Sequence, residues 1–328
     1  MNLVSIIIPC RNEEKFIGKC LNSLIKQDYP KEQLEILIVD GMSEDNTRDI
    51  IGEYTDTHAF IKILDNPQLF TPFGLNVGIK EAKGDVIIRM DAHAEYNTDY
   101  ISQCLKYLEE CKADNVGGVI ETVPVNQSSG ARSIALVLSS PFGVGNSYFR
   151  LGSEKPRWVD TVFGGCYRKN VFKRVGLFNE KLRRSQDIEF NMRLKKAGGK
   201  ILLVPEIKAY YYPQSNLKDF FKHNFNDGIW TTYPLKFGIQ FFSWRHLVPL
   251  AFIIALVFLF ALSLIFKPYI YLFFLLIISY LLVNLCFSLV SALKSGDLLL
   301  IFVLPFAFSS RHFGYGLGSI WGFLKIIE

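Results

Sequence analysis

The chain has 328 residues, half of them apolar, with 36 basic against 31 acidic side chains and a formal net charge of +5. Its apolar residues crowd toward the carboxyl-terminal third, which argues against one soluble domain. Lys and Arg alternate with Asp and Glu through the amino-terminal part instead of gathering into a patch, so nucleic-acid binding is not expected.

The β-branched run from Leu3 to Pro9 starts at once, with no basic region or small-residue cleavage site, and no signal peptide is expected. From there strand and helix patterns alternate. A strand near Val4 to Ile8 precedes a helix near Lys15 to Gln27. Strand Glu35 to Asp40 precedes helix Asn46 to Tyr54, strand Ile61 to Leu64 precedes helix Phe73 to Ala82, and strand Asp85 to Met90 precedes helix Tyr100 to Cys111. Such alternation predicts a parallel sheet with helices on both faces.

The second strand ends in Asp40-Gly41, followed by Ser43, Asp45 and Thr47 at the opening of a helix. A carboxylate there can accept hydrogen bonds from a nucleotide's base or ribose, or it can simply cap backbone amides. No G-x-G-x-x-G follows the first strand. Pro9-Cys10-Arg11-Asn12-Glu13 stands in its place, which disfavours a nicotinamide or flavin dinucleotide. The fourth strand delivers Asp91 and His93 at its carboxyl end. Residues two apart on a strand project to one face, so this carboxylate and imidazole can share a divalent metal at the edge where open α/β sheets bind ligands. Arg89 lies on the same face, placed either for diphosphate oxygens or for a salt bridge.

Farther along, Phe163-Gly164-Gly165-Cys166 supplies glycines for a turn or a close backbone approach. Asp187 stands near the start of a helix running to Ala197, with Glu189 and Arg193 spaced for an i, i+4 ion pair. Pro141 to Asn146, with two glycines, is expected to act as a mobile lid. The six cysteines show no C-x-x-C spacing and are expected to be reduced thiols in a cytosolic domain.

Between Tyr210 and Trp244, Tyr, Phe and Trp mix with Lys and His, a composition suited to a membrane interface. Leu247 to Phe266 and Pro268 to Leu293 then run without a charge, each long enough to cross a bilayer as a helix. A third apolar run, Leu298 to Ser310, is short. Either its helix continues through Arg311 toward Phe323, hiding that charge in protein, or it ends there and the tail lies along the interface. Arg311 and His312 could meet a lipid diphosphate, or they form a snorkelling helix end. Lys222, His223, Lys236, Arg245 and His246 outnumber Lys267 beyond the first span, so the amino-terminal domain is expected in the cytoplasm.

Several strings together resemble family 2 glycosyltransferases over nearly the whole chain. They are Ser5 to Pro9 with Asn12-Glu13, the residues around Asp40, Leu75 to Asp85, and Asp91-Ala-His93. More narrowly, Asp91-Ala-His93-Ala94, Phe142 to Asn146, Gln186-Asp187 and the terminal spans resemble the membrane-anchored succinoglycan-biosynthesis glucosyltransferase type. The resemblance implies an α/β class GT-A nucleotide-diphospho-sugar transferase fold, a mostly parallel sheet with flanking helices, plus carboxyl-terminal transmembrane helices. It implies a catalytic domain over residues 1–240, with a nucleotide-binding half to about 120 and an acceptor half beyond it. A membrane domain would follow over 241–328, with helices near 247–266, 269–293 and 298–318.

The resemblance further implies that Pro9, Glu13 and Asp40 line the nucleotide pocket, with Asp40 recognising the base, and that Asp91 serves the donor diphosphate, which Arg89 is placed on the same face to meet. Asp91 and His93 match the D-x-D metal motif. His93 replaces its second Asp, and imidazole suits Mn²⁺ better than Mg²⁺. Asp187 is the expected catalytic base, with Gln186 where the family has an acid. The implied donor is a nucleotide sugar, a UDP-sugar foremost. The implied acceptor is a membrane-bound, polyprenyl-diphosphate-linked saccharide of exopolysaccharide biosynthesis, and the transfer is inverting. The Q-x-x-R-W string of processive synthases is absent, with Phe225 to Trp230 roughly in its place, which favours addition of one sugar. The alternatives are a non-catalytic scaffold of a polysaccharide pathway, suggested by His93 and Gln186, or a processive synthase.

Overall fold

A computed structural model of the protein describes residues 3–240 and 244–327. These form two compact units. One comprises the residues through Glu121 together with Tyr148–Tyr211, and the other Thr122–Ser147 with the chain from Tyr212 onward.

The first unit is built on one nine-stranded sheet. In chain order its elements begin with β1 (Val4–Cys10), α1 (Ile17–Ile25), β2 (Leu34–Asp40), α2 (Thr47–Thr57), β3 (Ile61–Asp65), α3 (Thr71–Glu81), β4 (Val86–Arg89), β5 (Ala94–Tyr96), α4 (Tyr100–Glu110) and β6 (Asn115–Thr122). Helices α5 (Ser129–Leu138) and α6 (Pro141–Val144) belong to the second unit. The first unit resumes with α7 (Tyr148–Leu151), β7 (Arg157–Trp158), β8 (Phe163–Arg168), α8 (Asn170–Val175), α9 (Gln186–Lys196) and β9 (Ile201–Tyr211). The strand order is β3-β2-β1-β4-β8-β6-β9-β5, with β7 on β9. The first four strands pair in parallel, as the alternating pattern predicts, and β8 turns the sheet antiparallel at β4.

The central strands read as unbroken apolar runs because both faces are covered. Ile6, Ile8, Ile36 and Ile38 pack with Cys20, Leu21 and Leu24 of α1 on one face. Their neighbours Ile7, Leu37 and Val39 pack with Leu75 and Ile79 of α3 and Phe190 of α9 on the other. Each fully buried side chain contributes about 1.5–3 kcal/mol, against about 1 kcal/mol for a typical hydrogen bond. The sheet therefore stands on its strands, and the turns beyond them are left to shape a site. That site has a defined place. The connections from β1 lead to β2 on one side and, later, to β4 on the other, so the topological switch point, where open α/β sheets bind ligands, falls past the carboxyl ends of β1, β2 and β4.

The second unit is helical. Its later elements are α10 (Leu217–Thr232), α11 (Trp244–Ile265), α12 (Tyr269–Ser295) and α13 (Leu304–Ile327). Gly314, Gly318 and Gly322 recur every four residues along α13, where a Cβ would stand 3.0 Å from Phe221 O, 2.0 Å from Phe225 O and 2.7 Å from Ile229 O of α10. Only glycine lets the two backbones meet so closely. Among the described residues two helical stretches, Arg245–Ile265 and Tyr269–Ser295, are long and apolar enough to cross a membrane, and few of their side chains are buried.

The third apolar run resolves to the first of its two alternatives. Helix α13 continues through Arg311, whose Nε donates to Gly143 O at 2.8 Å and whose Nη1 donates to Asn224 Oδ1. His312 Nε2 lies 2.8 Å from Phe142 O, and the Phe142 ring stacks on Phe287. In the segment expected to act as a lid, the carbonyls of Phe142 and Gly143 hold α6 to α13. The expected domain boundary at residue 241 falls at 241–243, outside the described residues.

Candidate active site

The carboxyl ends of β1, β2 and β4 collect Pro9, Asp40 and Arg89, and the turns beyond them carry Glu13, Asp91 and His93. Pro9, half-buried, lies against the first turn of α3, where a Cβ on Gly74 would meet Pro9 Cβ at 3.4 Å. Asp91 and His93 occupy the short turn between β4 and β5 instead of the strand itself.

Asp91 Oδ1 accepts from Arg89 Nη2 at 2.5 Å, with side-chain exposures of 15% and 11%. Burial alone would lower the guanidinium's pKa. The nearby charges of Asp91 and Asp187 outweigh it and raise the pKa well above the ordinary value. Arg89 therefore stays charged and is held by Asp91, where the sequence left open a diphosphate contact or a salt bridge. Across the turn, His93 Nδ1 and Glu13 Oε1 are 3.0 Å apart. Burial lowers the imidazole's pKa, but its hydrogen bond to Glu13 and the charges of Glu13 and Asp91 outweigh burial, for a net upward shift. The Glu13 carboxylate, expected to line the nucleotide pocket, has Oε1 turned to the histidine.

Asp40 has no solvent exposure. Its Oδ1 accepts from Ser43 Oγ at 2.6 Å, and its Oδ2 accepts from Ser43 N at 3.1 Å and Arg48 Nη1 at 2.7 Å. In this arrangement it braces the turn that follows β2. Ser43 Oγ and Thr47 Oγ1, at the opening of α2, accept from the amides of Asn12 and Glu13. These cross-loop partners escaped the sequence reading because their targets lie more than 30 residues away.

Asp187 stands in the first turn of α9, partly exposed, with Oδ1 accepting from Ile188 N at 2.9 Å. Its charge acts on both Arg89 and Tyr167, which places it in the same electrostatic neighbourhood as Asp91. Glu189 is committed elsewhere: its two oxygens meet Arg193 at 2.6 and 2.9 Å, and Arg193 also donates to the carbonyls of Val175 and Leu177. The glycines of β8 serve close approach. Gly164, at φ +67°, leaves 2.8 Å between a hypothetical Cβ and Arg89 O, so no larger residue fits beside the end of β4. Tyr167, missed from the sequence, lies buried nearby; burial first, and then the charge of Asp187, raise its hydroxyl pKa against the effect of Arg89.

Among the described residues no group of three or more His, Cys, Asp or Glu side chains is gathered to hold a metal. By donor type the carboxylate of Asp91 and the imidazole of His93 suit a cation whose other ligands come from outside the protein. Glu13 takes the Nδ1 side of the His93 ring, the carboxylate–histidine arrangement that leaves Nε2 for a metal. Asp91 uses one oxygen on Arg89, and phosphate oxygens and water commonly supply the other ligands of such ions.

A mixed sheet with its switch point at β1, an acidic turn past β4 and a second acid on a helix from the distal half define a glycosyltransferase of the GT-A class. The chain belongs to glycosyl transferase family 2, whose profile matches residues 5–176. It is 36% identical over 264 residues, 78% of this chain and 80% of the relative, to dolichyl N-acetyl-α-D-glucosaminyl phosphate 3-β-D-2,3-diacetamido-2,3-dideoxy-β-D-glucuronosyltransferase of Methanococcus voltae. It is 29% identical to the succinoglycan biosynthesis protein ExoA of Rhizobium meliloti, over 74% of this chain and 80% of that one, so the expected kinship holds. Its fold matches that of the mannosyltransferase PcManGT from Pyrobaculum calidifontis, solved with GDP-Man and Mn²⁺, with a TM-score of 0.59 at 16% identity over 99% of this chain and 88% of that chain.

Proposed function

We propose that this glycosyltransferase moves one sugar from a nucleotide-diphosphate donor to a saccharide carried on a membrane lipid, with inversion at the anomeric carbon. The observation that carries the reading is that the Arg89–Asp91 and Glu13–His93 pairs stand on the turns past β1 and β4, with the charge of Asp187 acting on Arg89.

Asp91 and His93 hold a divalent cation, and Mn²⁺ suits the imidazole. When bound, that cation supplies Lewis-acid charge to a departing nucleoside diphosphate. Arg89 keeps the Asp91 carboxylate oriented and remains cationic beside it. Pro9 and the turns after β1 and β2 line the nucleotide side. Asp187 accepts the proton of the acceptor hydroxyl as its oxygen bonds to the anomeric carbon and the bond to the donor phosphate breaks. Glu189 does not take this part, because Arg193 already binds both its oxygens.

The acceptor class rests on two supports. The Methanococcus voltae relative carries in its name an acceptor on a dolichyl phosphate, and the chain has two exposed apolar helices of membrane-crossing length. We read the acceptor as a saccharide on a polyprenyl phosphate or diphosphate, the protein as multi-pass, and the catalytic unit as cytoplasmic on the balance of basic residues before α11. The purified full chain should release nucleoside diphosphate from one member of a donor panel only when extracted lipid acceptor and Mn²⁺ are both present. Release that survives EDTA would remove the metal from this account, and an elongated polymer product would replace single addition with processive synthesis.

A further inference from the structure

The contact between Glu13 and His93 is the last link of a longer chain of hydrogen bonds. Asp40, buried at the end of β2, holds both the amide and the hydroxyl of Ser43. Ser43 Oγ accepts from Asn12 N at 2.9 Å, Thr47 Oγ1 from Glu13 N at 2.7 Å, and Asp45 Oδ2 from Glu14 N at 3.2 Å. In the opposite direction Glu44 N donates to Asn12 Oδ1 at 2.9 Å and Asn46 N to Glu14 Oε2 at 3.2 Å. Asn12 sits in the left-handed region at φ 54°, a conformation that a non-glycine residue keeps when its surroundings impose it. The loop after β1 is thus laced to the loop after β2, and the backbone of Glu13 is fixed at the center of the lacing. Its side chain then reaches His93 Nδ1 at 3.0 Å, while the Tyr211 ring stands against the imidazole with centroids 5.2 Å apart.

We propose that Glu13 is a positioning residue for His93, acting through the imidazole instead of touching the nucleotide, and that Asp40 and Ser43 serve the same end by anchoring its loop. The inference rests on the metal reading given above. A neutral imidazole carries one N–H, and a carboxylate at Nδ1 draws it there, which turns the Nε2 lone pair outward as the ligand. A direct contact with a nucleoside diphosphate would instead bring two negative groups together. The Glu13 side chain is 20% exposed, and Oε1 is already engaged by the ring.

The test is a double-mutant cycle on the full chain in detergent, read as Mn²⁺ affinity from the electron paramagnetic resonance of free Mn²⁺, with no nucleotide present. Glu13→Gln should weaken Mn²⁺ binding about 10–100-fold, the range typical when an outer-shell partner is lost. In the His93→Ala background the same change should have no further effect. Glu13→Asp, which keeps the charge but shortens its reach, should fall between, and it keeps the test valid where Glu13→Gln misfolds. If His93→Ala weakens Mn²⁺ binding while Glu13→Gln and Glu13→Asp leave it within twofold, the positioning role is overturned and the metal reading survives. If the unmodified chain takes up no Mn²⁺ either alone or beside UDP, beyond what UDP itself binds, or if His93→Ala binds it as tightly, the metal reading fails and the inference fails with it.

Discussion

Arg89 Nη2 and Asp91 Oδ1 meet at 2.5 Å in a pair so enclosed that neither side chain is more than 15% exposed. The same carboxylate is the proposed metal ligand, so it has a structural and a chemical part at once. Removing one member of a buried ion pair leaves a charge without a partner, at a typical cost of about 3–5 kcal/mol, whereas replacing both members by apolar groups is close to neutral. Asp91→Asn should therefore lower stability by roughly that amount as well as abolish metal-dependent donor binding. Arg89→Met combined with Asp91→Leu should recover most of the stability and none of the binding. Denaturant unfolding in detergent, alongside donor titration, separates the two effects. An Asp91→Asn protein of unchanged stability would show that the pair carries little energy.

Asp187 and Glu189 are two residues apart in one helical turn and should respond differently. Asp187→Asn keeps size and shape and removes the base, so transfer should fall by about 10²–10⁴ while donor affinity stays within about twofold. Glu189→Gln should act on stability instead, since it breaks the bidentate contact with Arg193. Single-turnover transfer and donor titration on both variants decide the assignment. Equal turnover in Asp187→Asn and the unmodified chain would remove it from the base role.

Glu35 links acid stability to the sheet. Burial would raise its carboxyl pKa, but the amide of Lys83 at 3.0 Å, the hydroxyl of Ser5 at 2.8 Å and the ammonium of Lys62 bring it below the ordinary value. A group whose folded pKa is depressed stabilises the fold above its unfolded pKa, near 4.5, and loses that contribution as pH falls through the lower folded value. Unfolding midpoints of the full chain should therefore decline below about pH 4.5, and Glu35→Gln should be less stable at neutral pH by about 1–3 kcal/mol with a shallower acid decline. An acid limb as steep in Glu35→Gln as in the unmodified chain would assign the decline to other carboxylates.

Much of the first unit was legible in the sequence because its signals are local. The unbroken apolar runs of β1 and β2, the turn residues after them and the alternation with amphipathic helices all act within about ten residues. What was not legible were partners far apart in the chain. Asp40 could read as a nucleotide contact or a capping acid, and the structure has its oxygens on Ser43 and Arg48. Glu13 could not be matched to His93, 80 residues on, and α6 looked like a free turn until the carbonyls of Phe142 and Gly143 met His312 and Arg311.

The sequence by itself determined the class of fold, the family, the positions of the acidic turn and the helix-start acid, and the two long apolar helices, since periodicity, length and motif spacing are properties of neighbouring residues. The tertiary structure alone decided which carboxylate faces which partner, that Arg89 is bound by Asp91, that Glu189 is spent on Arg193, and that Arg311 lies among carbonyl and amide oxygens within a continuous helix. The physical reason is that a side chain's partner is fixed by which strand ends and helix faces the topology brings within about 3 Å, the reach of a hydrogen bond, and no local pattern encodes that distance.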